Sequence, residues 1–347
     1  MARYIGIDAH SETCTVAVIG KSGRRLCHQV LPTDARVLKS FIDNLPRPRH
    51  LCLEEGTLCE WLYEELEPLV DKLVVVMPAK NPGHKSDLRD AWNLADNLRR
   101  DNFKQVIYKK PGAFRELREA VRAHAMLQKA MVRSKSQLHA LCRARGLREH
   151  AAKLYEPESR LEVLAMLPES LAQRAALLGE QLDGQIGCVL KAERWLRDAA
   201  KRVPAVKRIA TAPGIGIIRA SYIVSIVVTP HRFRTSRQFW SYSGLAVVRR
   251  SSSDWVRGEH GGWQRKQVFQ TRGLNRNRNP LLKCAFKGAA LQLTRMPDHP
   301  LGAAYQRQLT NIKPNLARLT IARRIASAVL AMWKNNEDYD PQRHQSQ

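Results

Sequence analysis

The first hundred residues alternate short β-rich runs with helical patterns, and this alternation restricts the chain more than any other feature. The runs "YIGID" (4–8), "TVAVIG" (15–20) and "RLCHQVL" (25–31) have strand length, and "KSG" (21–23) supplies a turn between the second and third. Together they predict an antiparallel meander. A helical pattern follows over "ARVLKSFIDNL" (35–45). Next come a strand at "HLCLEE" (50–55), a helix at "LCEWLYEEL" (58–66) and the apolar strand "KLVVVM" (72–77). The stretch "KSDLRDAWNLADNLRR" (85–100) is again helical, with Leu88, Ala91, Leu94, Ala95 and Leu98 at helical spacing.

Three strands, then alternating helices and strands, with an acid near the end of the first strand, is the order of an RNase H-like fold. An α/β domain is therefore predicted over residues 1–110. Residues 111–203 are almost strand-free and rich in helix formers, and Leu171, Leu178, Leu182, Ile186 and Val189 approximate a coiled-coil seam. A plain antiparallel helical pair accounts for that stripe equally well. A third, mainly helical domain is predicted over 204–347. In it "PGIG" (213–216) sits between two helical patterns, like a helix-hairpin-helix turn whose glycines let backbone N–H groups approach a phosphate. A simple interhelical turn is the plainer alternative. The helix "NLARLTIARRIASAVLAMW" (315–333) is amphipathic and is predicted to close this domain's core.

Charge points to the partner. The chain carries 58 Lys and Arg against 32 Asp and Glu, a formal +26, which favours nucleic acid or an anionic surface. No apolar run approaches the roughly 20 residues of a membrane span, and the N-terminus lacks the apolar core of a signal peptide. The seven cysteines are scattered, without zinc-finger spacing, and read as reduced thiols of a cytoplasmic protein. Residues 231–283 hold 12 Lys and Arg against two acids, Asp254 and Glu259. Seven rings are interleaved there: Phe233, Phe239, Trp240, Tyr242, Trp255, Trp263 and Phe269. Positive charge alternating with flat rings suits a surface for phosphates and bases.

Four carboxylates stand out by placement. Asp8 ends the first strand, Glu54 ends "HLCLE", and Asp87 and Asp90 share a face of one helix at i and i+3. Strand-end acids beside helix acids suit Mg²⁺, a hard ion that takes oxygen ligands and keeps several waters. Each acid alone also has an ordinary reading as a surface or helix-end residue. Glu55, Asp96 and Asp101 compete for the same role. A second oddity is "GLAVVRRSSSDWVRG" (244–258), three serines directly after two arginines. A serine hydroxyl needs a base or metal, and cations on the phosphate, to attack phosphorus. Arg249, Arg250 and Arg257 are candidate cations, against the alternative of a polar loop with local turns.

The stretches "YIGIDAHSET", "LCLEEGT", "HKSDLRDAW", "ATAPGIG", "FWSYSGLAVVRRSSS" and "NRNRNPLLKCAFKGAA" occur in that order. Together, over essentially the whole chain, they resemble the insertion-sequence one-ten family of transposases, the bridge-RNA-guided DEDD recombinases. The resemblance implies a RuvC-like N-terminal domain, a helical middle and a C-terminal transposase domain. It implies that Asp8, Glu54, Asp87 and Asp90 form the metal-binding acidic quartet, with Mg²⁺ as cofactor. It places the nucleophilic serine at Ser252, by its distance from Gly244. Val247 stands where the family has proline and Ser253 where it has glycine, so Ser251 and Ser253 stay as alternatives. The implied reaction is attack of the serine on a DNA phosphodiester, leaving a covalent phosphoserine link. A structured non-coding RNA pairs with donor and target DNA. The implied assembly is a homo-oligomer, dimer to tetramer, in which one subunit's acids meet another's serine; it acts in the cytoplasm, at the bacterial nucleoid. On this reading Arg249, Arg250, Arg257, Trp255 and Trp263 contact nucleic acid. Two other readings share some of these features. One is a junction-resolving metal nuclease that uses water, and the other is a non-catalytic RNA-binding protein.

Overall fold

The computed structural model describes residues 2–77, 86–103, 113–252, 255–257, 261–265 and 268–344; at 113, 248–252, 256, 265, 268–272, 343 and 344 it describes the backbone alone. The chain divides into two compact units, Met1–Pro111 and Gly112–Gln347.

In the first unit the strands β1 (Arg3–Ala9), β2 (Thr13–Gly20), β3 (Arg25–Pro32), β4 (Arg49–Glu54) and β5 (Lys72–Val76) form one sheet in the order β3-β2-β1-β4-β5. β1, β2 and β3 pair antiparallel, while β1, β4 and β5 run parallel. This mixed sheet is in keeping with an RNase H-like domain. Successive strand residues face opposite sides, so each buried strand serves two layers. Ile5, Ile7, Val16, Val18, Leu51, Leu53 and Val75 pack on one face with Leu38 and Ile42 of α1 (Ala35–Asp43) and Leu62 and Leu66 of α2 (Cys59–Leu66). The opposite face is covered by α3 (Asp87–Arg100): Ala17 and Ile19 meet Ala91, Trp92 and Ala95, while Cys52, Val74 and Val76 meet Leu94 and Leu98. Gly6 permits this layer. A Cβ there would stand 2.1 Å from the Ala91 carbonyl oxygen and 2.7 Å from the Ala95 nitrogen, so β1 and α3 touch backbone to backbone.

The second unit begins with a long pair, α4 (Ala113–Ala144) and α6 (Glu169–Lys201). Leu117, Ala120 and Val121 cluster with Leu196 and Ala199, whereas Leu138 and Cys142 cluster with Ala175 and Leu182, so the two helices run antiparallel. The stripe read as a coiled-coil seam packs against α4 of the same chain. Between them α5 (Pro157–Ala165) contributes Arg160, buried and bonded by two nitrogens to both oxygens of Asp183 at 2.8 Å.

The remainder is helical: α7 (Pro204–Ile209), α8 (Ile217–Val227), α9 (Ser236–Tyr242), α10 (Pro280–Leu293), α11 (Pro300–Leu309) and α12 (Pro314–Asn335). As expected, α12 closes the core, burying Ile321, Ala322, Ile325 and Val329 against α8 and α10 residues such as Ile223 and Phe286. The "PGIG" turn joins α7 to α8. Gly214 has φ +71°, and a Cβ there would lie 2.7 Å from the Ala289 oxygen of α10, so glycine serves helix packing at that position. Two features differ from expectation. Four short strands interrupt the helices: β6 (Val247–Ser252), β7 (Trp255–Arg257), β8 (Trp263–Arg265) and β9 (Val268–Leu274). Moreover, Phe233 and Phe239 belong to the core, with Trp240 and Tyr242 packed against it. Phe233 and Phe239 fill the interior, and the surface reading of those two is corrected accordingly; Trp240 and Tyr242 are half-buried at its edge.

Candidate functional site

Asp8 lies near the end of β1 and Glu54 at the end of β4. The parallel register pairs Ile7 with Leu53, so the next residues, Asp8 and Glu54, follow side by side on the strand ends. Ile7 and Leu53 are buried on the α1–α2 face; alternation turns Asp8 and Glu54 to the α3 face. Asp87 and Asp90 occupy the first turn of α3, whose N-cap is Ser86. Close packing at Gly6 therefore delivers the start of α3 to the end of β1.

The side chains converge. Oxygens of Asp8 and Asp87 and the Nε2 of His10 all lie within 4.8 Å of one another. His10 Nε2 stands 3.4 Å from an oxygen of each carboxylate. Asp8 is the sheltered member, with 15% of its side chain exposed against 55% for Asp87. Burial pushes the Asp8 carboxyl above its ordinary 3.8; His10 draws it down, and the charges of Asp87 and Asp90 push it up. Asp90 thus acts on Asp8 from outside the tight group, and Glu54 also stands outside it. Among the described residues no Lys or Arg forms an ion pair with Asp8, Asp87 or Asp90. Mutual repulsion of crowded carboxylates is the electrostatic arrangement a bound dication relieves.

The competing acids have other work. Burial pushes the Asp96 carboxyl up, but hydrogen bonds and charge from Arg99 and Arg100 together hold it below its ordinary value. Asp101 caps α3 in the left-handed conformation and lies 3.8 Å from Lys72. Glu55 is exposed, its backbone N–H donating to the Val76 oxygen. Sequence reasoning overlooked His10. The signal was present as the i+2 spacing in "DAH", which keeps two side chains on one side of an extended segment.

In the second unit Ser251 and Ser252 lie in β6, opposite Phe269 and Val268 of β9. An extended strand replaces the expected turn at these two residues, because β9 supplies the ladder partners. Ser253 lies outside the described residues, as do the side chains of Ser251, Ser252, Arg249 and Arg250. The base of this ribbon is anchored firmly. Asn275 donates to both the backbone oxygen and the hydroxyl of Ser241 at 3.1 Å, and its N–H donates to the Ala246 oxygen. Arg323 of α12 donates to the Leu245 oxygen at 2.8 Å, and the Trp240 indole donates to the Arg323 oxygen. Gly244, at φ +69°, leaves room for the Arg278 side chain, which its Cβ would meet at 1.9 Å. Asn275, Arg278 and Arg323 form a positioning layer that only tertiary contacts reveal.

On the second ribbon Arg257 pairs with Trp263, and Trp255 lies two residues along. The three side chains share one face. The rings of Trp255 and Trp263 are 57% and 67% exposed, unlike the core rings of Phe233 and Phe239. An exposed guanidinium between two exposed indoles suits stacked bases and a phosphate.

Residues 5–144 match a family model for transposases of the DEDD type in the IS110 group, and residues 206–306 match the model for the transposase IS116/IS110/IS902 family. No curated protein matches the chain. The first match contains all four acids and His10, and the second contains both ribbons. A DEDD-type domain implies dependence on a divalent metal, and the carboxylate donors around Asp8 fit one. Among the described residues no helix is long and apolar enough to cross a membrane.

Proposed function

Because the chain belongs to the IS110 family of transposases, and is therefore an enzyme acting on DNA, we propose that it cuts and joins DNA through a serine nucleophile with Mg²⁺. Ser252 is the proposed nucleophile. Its hydroxyl oxygen bonds to phosphorus while the bond from phosphorus to the leaving sugar oxygen breaks. The hydroxyl proton passes to that oxygen through solvent, leaving the strand as a phosphoserine ester. Rejoining is the reverse attack by a new sugar hydroxyl, which returns the serine.

Asp8, Glu54, Asp87 and Asp90 would hold the divalent ion, which supplies Lewis-acid stabilisation of charge on the reacting phosphate. Arg249, Arg250 and Arg257 are assigned to neighbouring phosphates, and Trp255 and Trp263 to unpaired bases. A structured RNA encoded beside the gene is proposed to select donor and target by base pairing, so that protein contacts are to backbone and shape. A homo-oligomer is the proposed working form.

The observation that carries the reading is the meeting of Asp8, His10 and Asp87, from a strand end and a distant helix start, with no Lys or Arg paired to these acids among the described residues. The test is a protein–DNA adduct that survives denaturation when the protein is incubated with terminal DNA, flanking-sequence RNA and Mg²⁺. Ser252→Ala removes one oxygen and should abolish the adduct, while Ser251→Ala and Ser253→Ala keep it. Cleavage by Ser252→Ala at the wild-type rate would favour water as nucleophile.

A further inference from the structure

We propose that His10 is a direct nitrogen ligand in the metal site, and that it shifts the site's preference from Mg²⁺ towards Mn²⁺. This rests on the reading of the acidic residues as metal ligands and names one more donor in their set. The geometry is specific. His10 Nε2 is 3.4 Å from both Asp8 Oδ2 and Asp87 Oδ1. That is longer than the roughly 2.7–3.2 Å of most N–H···O hydrogen bonds, so the imidazole sits between the two carboxylates in a long contact with each, and its contact with Asp8 draws that carboxyl down. Two donors at right angles, each about 2.1 Å from one ion, stand about 3.0 Å apart, and a wider angle brings them to this spacing.

The backbone that carries the ring is held in place. The His10 N–H donates to the Thr13 oxygen at 2.9 Å, closing the β1–β2 turn. The His10 carbonyl accepts from the Thr33 hydroxyl at 2.7 Å, and the Thr33 N–H donates to the Glu12 oxygen. The turn is thus tied to the end of β3, and a ligand on a fixed backbone has only its side-chain torsions left to order on binding. Mg²⁺ favours an all-oxygen shell, whereas imidazole suits transition ions, of which Mn²⁺ also accepts carboxylates readily. A mixed Asp–His–Asp set therefore separates the two ions where an all-carboxylate set would treat them alike.

The test uses the full chain without DNA, titrated with Mn²⁺ and followed by electron paramagnetic resonance. Pulsed spectra of the wild type should show coupling to a directly bound imidazole nitrogen. His10→Ala and His10→Gln should lose that coupling and weaken Mn²⁺ by about tenfold or more, while Mg²⁺ affinity, read by competition, changes far less. If Asp8→Asn abolishes Mn²⁺ binding yet the wild type shows no nitrogen coupling, His10 lies outside the ion's shell. The proposal then fails while the metal reading stands. If Asp8→Asn binds Mn²⁺ like the wild type, the metal reading itself fails, and this proposal with it.

Discussion

Gly6→Ala is the sharpest perturbation the fold offers, because it adds one carbon at the joint that carries α3 to β1. The new Cβ would stand 2.1 Å from the Ala91 oxygen, 2.7 Å from the Ala95 nitrogen and 2.9 Å from the Leu94 Cβ. Two of these are backbone atoms of a helix and cannot rotate aside. Restoring even a 3.0 Å contact from 2.1 Å requires α3 and β1 to separate by about 1 Å, since a packed interior leaves no slack. Overpacking of this kind costs roughly 1–3 kcal/mol. At about 4–8 °C per kcal/mol for a domain near 100 residues, the N-terminal unit should melt some 5–20 °C lower. The chemical effect should be larger than the thermal one. Asp87 and Asp90 ride on the first turn of α3 and Asp8 on β1, so the same displacement moves the proposed ligands apart, and a 1 Å misplacement costs on the order of 100-fold in rate. Calorimetry would follow melting, and Mn²⁺ titration and DNA cleavage at 20 °C, where the variant is still folded, would follow the site. Gly56→Ala is the comparison, because its Cβ would meet nothing within 4 Å. Wild-type melting and cleavage by Gly6→Ala would refute the claim that this contact sets the site.

Other consequences follow from the second unit. Arg160 holds the Asp183 carboxyl below its ordinary 3.8. A depressed folded value contributes stability above the unfolded value and loses it as pH falls through the folded one. The melting difference between wild type and Asp183→Asn should therefore be full at neutral pH and shrink as pH drops from about 5 to 3; a constant difference would assign the effect to packing. Neutralising Arg249 and Arg250 together should flatten the slope of log affinity against log salt on duplex DNA by up to about two units. Trp255→Ala and Trp263→Ala should each weaken single-strand or RNA binding by about 1–3 kcal/mol with little change in that slope. Gly184→Ala, on the exposed middle of α6 with open space at its Cβ, should raise stability by roughly 0.5–1 kcal/mol, measurable by denaturant unfolding.

Local pattern carries local structure, and that part of this protein was legible. The runs at 4–8, 15–20, 25–31, 50–55 and 72–77 became β1 to β5 within a residue or two at each end, because strand alternation and apolar content act over neighbouring residues. The helix at Ala91, Leu94, Ala95 and Leu98 buried the face its spacing indicated. What depends on partners distant in the chain was not legible. Aromatic character looks the same in a core as on an exposed ribbon, so Phe239 and Trp255 could be told apart only by how much of each is covered. A loop stayed open as an alternative at the serine stretch because the ladder partner of β6 lies in β9, beyond a second ribbon. The acids were nameable from their positions. The meeting of Asp8 with Asp87 required the contact at Gly6, and the place of Glu54 beside Asp8 on the strand ends required the parallel register of β1 with β4, both set by packing between elements far apart in sequence. His10 belongs to the same class: its ring acquires a role only when α3 brings Asp87 within reach, a distance fixed by the thickness of a sheet–helix layer and written in no local motif.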